Sequence, residues 1–394
     1  MFWQRFSQLS LVLFCFLWAP LFSQNVSAHP LLPRHSEHHA TNTKISPHTG
    51  DSNPIAGASI QAANNIWYTG SGLDSSNYLL IRRWNGTTFA DPLHRTPYQP
   101  NEGGQAVLSL SPTQTWLIAN GMTAQNPLQI LRFNGFSWTT YPSPPLHGEA
   151  VNAMAAINAN DIWAVGSSGP LTNTFTMHWN GSNWQHITSP NVANKYNSLW
   201  GISARATNDV WAVGSQQNIN GGDTPLMMHW DGKTWTITPS PPIASLPAHA
   251  LNAVTMLSQN DVWTVGLGGL IEHWNGTRWQ IVSSPIPIPS FLSLNALSTL
   301  TANDIWAVGQ TINCPSGSSC LSMTYTRHWN GHTWQTVPSP SLSVPGLGTS
   351  SLLLDVHMFA TNNVWAIGTG NDYVFFERWN GQVWQITTSH NVYF

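Results

Sequence analysis

The sequence predicts an all-β fold, a seven-bladed β-propeller of four-stranded antiparallel blades, and three observations predict it. First, a Trp recurs at Trp67, Trp116, Trp163, Trp211, Trp263, Trp306 and Trp365, with spacings of 49, 47, 48, 52, 43 and 59 residues. That is the period of a propeller blade. Second, another aromatic follows at Trp84, Phe133, Trp179, Trp230, Trp274, Trp329 and Trp379, and a third stands five residues after each, at Phe89, Trp138, Trp184, Trp235, Trp279, Trp334 and Trp384. Third, every copy carries Asn-Gly or, once, Asp231-Gly232 between its second and third aromatic.

Each element of the repeat follows from these residues. VNAMAAI (Val151 to Ile157) reads as an innermost strand, and DIWAVG (Asp161 to Gly166) as a short apolar strand ending at Gly. HWNGSNW then reads as strand, turn and strand. Asn-Gly tolerates positive φ at both central residues, so the expected turn is a type I′ hairpin. One four-stranded sheet cannot bury both of its faces, whereas seven arranged around an axis can, with aromatics filling the wedges between them. Nineteen of the 22 Trp occupy repeat positions, which assigns them to packing. Helical periodicity is absent throughout. The blades are expected at about 54–100, 101–149, 150–194, 195–247, 248–291, 292–347 and 348–394.

Residues 1–28 read as an export signal. Arg5 supplies the positive charge, Leu9 to Phe22 the apolar run, and Val26-Ser27-Ala28 the small residues of a cleavage site. Its use as a retained anchor is the alternative; no second apolar run follows, so no integral span is expected after cleavage. Residues 29–53 are polar and expected to be disordered. Cleavage after Ala28 would leave His29 at the N-terminus, where its amine and ring, with His35, His38 and His39, form a candidate copper or zinc chelate. Two cysteines remain, Cys314 and Cys320, close together on one Gly/Ser loop, which in an exported chain reads as a local disulfide. Only 7% of residues are charged and the net charge is −3, which leaves no basic stripe for nucleic acid.

DVWAVG (Asp209 to Gly214) and MMHWDGKTWTITPSPP (Met227 to Pro242) resemble the repeat of kelch and galactose-oxidase-type propellers, across residues 54–394. The resemblance implies the propeller fold. Galactose-oxidase chemistry does not carry over, because it needs a Cys crosslinked to a Tyr and both mature cysteines are taken by the loop pair. GKTW (Gly232 to Trp235) echoes a sialidase motif, yet Trp230 stands where that motif needs Asp.

Two positions of the repeat change together. Where the residue two before the first Trp is Asp, the residue before the second aromatic is His: Asp161 with His178, Asp209 with His229, Asp261 with His273, Asp304 with His328. Where the first is an amide, the second is Arg: Asn65 with Arg83, Gln114 with Arg132, Asn363 with Arg378. The start of the second strand lies beside the end of the third, so each couple is expected to be a hydrogen-bonded structural pair. A ring of four His is thereby assigned to scaffolding rather than to metal.

Strand order places the 2–3 loops and the blade-to-blade connections together on one face. They vary widely in length, whereas the 1–2 and 3–4 turns are short and uniform. Variable loops on a rigid scaffold are where binding usually resides. Two irregularities add candidate ligand-binding residues. The position ten before the first Trp is Gly or Ala in six blades but Asp355 in the seventh, with His357 two residues on. Trp200, with Tyr196 nearby, replaces the Asn or Gln of blades 2, 3, 5 and 6 and offers a ring for sugar stacking. The functional expectation is an exported, non-catalytic, monomeric binding or scaffold module. It would engage an extracellular protein or glycan through its variable face. The alternative is a secreted carbohydrate-active enzyme or lectin with a single site on that face or in the channel. No sequence motif marks the paired carboxylates of glycoside hydrolysis, and none names a cofactor. Asn25, Asn85, Asn180 and Asn275 match the glycosylation acceptor pattern.

Overall fold

The computed structural model describes residues 55–394 except 73–77, 91–101, 122–127, 145–147, 170–172, 219–221, 244–248, 283–290, 314–319, 345–347, 371–372 and 392–394. All lie within one compact unit, Ser46–Phe394. The leader, the segment 29–53 with His29, His35, His38 and His39, and Cys314 fall outside the described residues.

Seven four-stranded antiparallel sheets follow one another in a ring, each a meander in which strands adjacent in sequence are adjacent in the sheet. Blade 4 is representative, with strands Lys195–Ala206, Asp209–Asn218, Asp223–Trp230 and Trp235–Ile237 running from axis to rim. Among the described residues there is no helix, and one extra two-stranded hairpin, Ser343–Val344 with Gly348–Thr349, precedes the last blade.

In blades 1 to 6 the first Trp packs on the second and third aromatics of the next blade. Trp163 lies 5.0 Å from Trp230 and 5.4 Å from Trp235, and Trp306 lies 5.0 Å from both Trp379 and Trp384, edge-on to the latter. Such offset and edge-on contacts suit the ring quadrupole. Trp67, Trp116, Trp163, Trp211 and Trp306 are fully buried. Truncating one of them to Ala would cost about 3–5 kcal/mol.

The 3–4 turn differs from the type I′ expectation. Trp179 pairs directly with Trp184, which leaves four loop residues rather than two. Among them only Gly181 takes positive φ (+92°), and Asn180 does not. The Asn180 side-chain oxygen instead accepts the backbone N–H groups of Ser182 (3.0 Å) and Asn183 (3.0 Å). The fixed gap of five thus reflects an Asx-closed loop, in which the first residue must carry a short side-chain acceptor. Asp231 does the same with Lys233 and Thr234. Asn85, Asn180 and Asn275 therefore owe their place to turn closure.

Every innermost strand slips register by one residue, as between Leu199 and Gly201. This bulge explains the Gly opposite it in blades 3 to 7, where blade 2 has Ala119. A Cβ at Gly214 would stand 1.9 Å from the Ser198 carbonyl oxygen, and one at Gly166 would stand 1.8 Å from that of Ala150. The bulged residue also joins blades: the amides of Asn152, Asn252 and Asn295 donate to the carbonyls of Leu199, Leu294 and Leu353 in the blade that follows (2.8, 2.9 and 2.8 Å).

Among the described residues the ring closes by packing and side-chain hydrogen bonding, with no sheet shared between blade 1 and blade 7. Ile55, Ile60, Ile66, Tyr68 and Leu80 of blade 1 form one core with Ile367, Val374 and Phe376 of blade 7. Phe376 meets Phe89 at 5.5 Å and Trp84 at 5.9 Å, while Trp365, unlike its counterparts, is only half-buried.

Candidate functional site

A recess among the described residues lies on the variable face, between the tip of blade 4 and its connection to blade 5. Thr238 N–H still bonds the Met227 carbonyl (2.9 Å), so the chain leaving the fourth strand stays beside the third. Pro239, Pro241 and Pro242 then supply no donors, the ladder ends, and the chain turns away over the blade. At the start of blade 5, the His249 N–H bonds the Asp223 carbonyl (3.0 Å) and ties the far wall down. The resulting cleft holds about 510 Å³. Met227, Ile237, Pro239, Pro241, Pro242 and Ile243 make its apolar wall, and Gln216, Asp223 and His249 its polar end.

The polar end is under-satisfied. His249 is only 4% exposed, and neither ring nitrogen has a partner among the described residues. Burial lowers its pKa, so the ring is neutral and offers one donor and one acceptor. Gln216 donates from Nε2 to the Pro225 carbonyl (3.1 Å), but its buried Oε1 accepts nothing. Desolvation raises the Asp223 pKa, and no ion pair reaches it among the described residues. Each orphan polar group costs on the order of 1–3 kcal/mol.

Equivalent positions in other blades show what a purely structural residue does there. Fourteen residues before the first Trp stand Glu102, Glu149, Asn197, His249, Leu292 and Ser351 in blades 2 to 7, and three of these, Asn197, His249 and Ser351, are buried polar residues. The Asn197 side chain bonds the backbone of Val192 twice and of Lys195 once, and the Ser351 hydroxyl donates to the Leu342 carbonyl (3.1 Å). Of these three, only His249 is left without a side-chain partner among the described residues.

Two buried carboxyls flank such junctions. Ser240 on the cleft wall donates to Glu272 Oε1 (2.8 Å), and Ser339 donates to Glu377 Oε2 (2.7 Å). In each, the second oxygen lacks a partner, and desolvation raises the pKa to about 7 for Glu272 and about 8 for Glu377.

The residues singled out from the sequence fall elsewhere. Of the seven covarying couples, the structure brings six to hydrogen-bond distance. His Nε2 lies 2.7, 2.9, 2.7 and 2.7 Å from Asp Oδ1 in Asp161–His178, Asp209–His229, Asp261–His273 and Asp304–His328. Arg83 Nε donates to Asn65 Oδ1 (3.0 Å), and Arg378 Nε to Asn363 Oδ1 (2.9 Å). The partner also covers the first Trp, with His229 4.7 Å from Trp211 and the Arg83 guanidinium 5.4 Å from Trp67. Gln114 and Arg132 form no such bond. The longer Gln leaves its Nε2 orphaned, and Arg132 turns to the Tyr141 hydroxyl (3.4 Å).

Asp355 and His357 do not bond each other. Asp355 accepts the N–H groups of Val356 (2.9 Å) and of Ile60 across the closing junction; desolvation raises its pKa to about 7. His357 packs on Phe359 (4.6 Å), and burial lowers its pKa. Trp200 is the bulged residue of blade 4, and it and Tyr196 are both half-buried. Among the described residues no three His, Cys, Asp or Glu side chains converge on a metal-sized site. The sequence reading passed over His249, Asp223 and Gln216, although aligning the repeat on its first Trp shows His249 as the one imidazole at a position that holds Glu102, Glu149, Asn197, Leu292 and Ser351 in other blades.

No family model matches the chain, and no curated protein does. Solved propellers do. A structure of YCF48 bound to D1 peptide superposes with a TM-score of 0.53 at 16% identity, covering 86% of this chain and 94% of that one. YCF48 from Cyanidioschyzon merolae gives 0.52 at 15% identity over 85% and 97%. At these identities the likeness is one of fold.

Proposed function

We propose that this chain is an exported, non-catalytic binding module that holds a segment of another protein in the cleft between blades 4 and 5. The observation that carries this reading is His249, a buried imidazole with both nitrogens unsatisfied at a cleft on the variable face. A scaffold position would be satisfied internally, as Asn197 and Ser351 are. A recess of about 510 Å³ with an apolar Pro-rich wall and a few polar groups suits a peptide side chain and its neighbours. No aromatic lines it for a sugar to stack on. The YCF48 propeller bound to D1 peptide supports a peptide as occupant. Export rests on the leader 1–28 and on the Cys314–Cys320 loop pair, and the repeat is read as kelch-type on DVWAVG (Asp209 to Gly214) and MMHWDGKTWTITPSPP (Met227 to Pro242), with one Gly where that family has two.

Peptide display against the mature propeller tests the proposal. Selected peptides should lose at least tenfold in affinity when His249→Asn or Gln216→Ala is introduced. Peptides indifferent to both changes would place binding elsewhere and remove the reading.

A further inference from the structure

We infer that the polar end of the cleft receives the ammonium or guanidinium group of a Lys or Arg side chain. This deepens, and rests on, the peptide-binding reading above. The polar end is rich in acceptors: the Asp223 carboxylate, the orphan Gln216 Oε1 and the unprotonated nitrogen of His249. Its donors are nearly exhausted. Gln216 Nε2 is spent on the Pro225 carbonyl, the Thr224 hydroxyl on the Gln216 carbonyl and the Ser240 hydroxyl on Glu272, which leaves one imidazole N–H and the Thr238 hydroxyl. A ligand that brings only donors and positive charge complements this set.

Among the described residues no Lys or Arg pairs with Asp223. An acidic ligand would instead meet an unpaired carboxylate. Met227, Ile237 and Pro239 offer the apolar surface along which the methylene stem of a long basic side chain packs. The ring nitrogens of His249 and Gln216 Oε1 are closed to water. The cation therefore meets Asp223, with these buried acceptors behind it.

The mature chain would be titrated with the blocked pentapeptide Ac-Gly-Gly-Lys-Gly-Gly-NH2 and with its Arg, norleucine and Glu counterparts, following the His249 imidazole signals by NMR. Lys and Arg peptides should shift those signals saturably and bind at least tenfold more tightly than norleucine, and the Glu peptide should not bind. Asp223→Asn, which keeps the side-chain size at a half-exposed position, should abolish the preference for Lys over norleucine. Equal binding of Lys and norleucine, or a preference that survives Asp223→Asn, overturns the inference. So does silence from all four peptides. A display-selected peptide that still requires His249 would then leave the binding-module reading standing.

Discussion

Asp355 in the innermost strand of the last blade accepts the backbone N–H of Ile60 in the innermost strand of the first. At two other junctions a serine does similar work: Ser59 accepts from Ser109 N–H and Ser298 from Met358 N–H, each at 3.0 Å. The residue that looked like half of an acid–His site thus joins the two ends of the chain.

Asp355→Ala should therefore destabilise the propeller by about 1–3 kcal/mol, because it strands a buried N–H. Asp355→Asn keeps an acceptor and should cost much less. Urea denaturation of both variants measures the difference; equal losses would mean that the bond to Ile60 contributes nothing.

Gln114→Asn should stabilise the protein by about 1 kcal/mol. Asn65 accepts from both Trp67 Nε1 (3.0 Å) and Arg83 Nε (3.0 Å), and Asn363 likewise serves Trp365 and Arg378. In blade 2 the extra methylene of Gln114 forfeits both bonds, and Trp116 Nε1 is orphaned. A thermal melt of the variant should rise, and an unchanged or lower midpoint would show that side-chain length is not the cause.

Gly214→Ala should unfold blade 4 or cost more than about 3 kcal/mol, since the added methyl would lie 1.9 Å from a backbone carbonyl that the bulge holds in place. Gly148→Ala has open space around its Cβ, although its φ of +84° adds strain, and should cost only about 1 kcal/mol. Chemical denaturation of the two side by side separates crowding from backbone strain.

Stability should fall as pH rises from about 6.5 to about 8. Glu272, Glu377 and Asp355 have folded-state pKa values raised to about 7, 8 and 7. The unfolded chain gives up these protons first, near the ordinary carboxyl range, so stability is fullest below that range and declines until each folded pKa is passed. His249 and His357, whose pKa values are lowered, oppose this trend only below their unfolded pKa of about 6.5. The double variant Glu272→Gln/Glu377→Gln should flatten the slope measured by melts between pH 6.5 and 8. A slope unaltered in that variant would exclude the two glutamates as its source.

The sequence alone determined the number of blades, the order of strands, the face that carries variable loops and the aromatic filling of the wedges. All of these follow from spacings within one repeat, and local periodicity needs no knowledge of what lies beside the blade. The Asp–His and Asn–Arg couples were legible for the same reason, since each joins neighbouring strands of a single sheet. Tertiary structure decided the rest. Whether Asn180 takes positive φ depended on its side chain reaching two N–H groups, and Gly214 owes its place to a bulge in another strand. The role of Asp355 and the isolation of His249 depended on which groups arrive from a different blade. Satisfaction of a buried polar atom is settled by neighbours distant in sequence, and no repeat pattern carries that information.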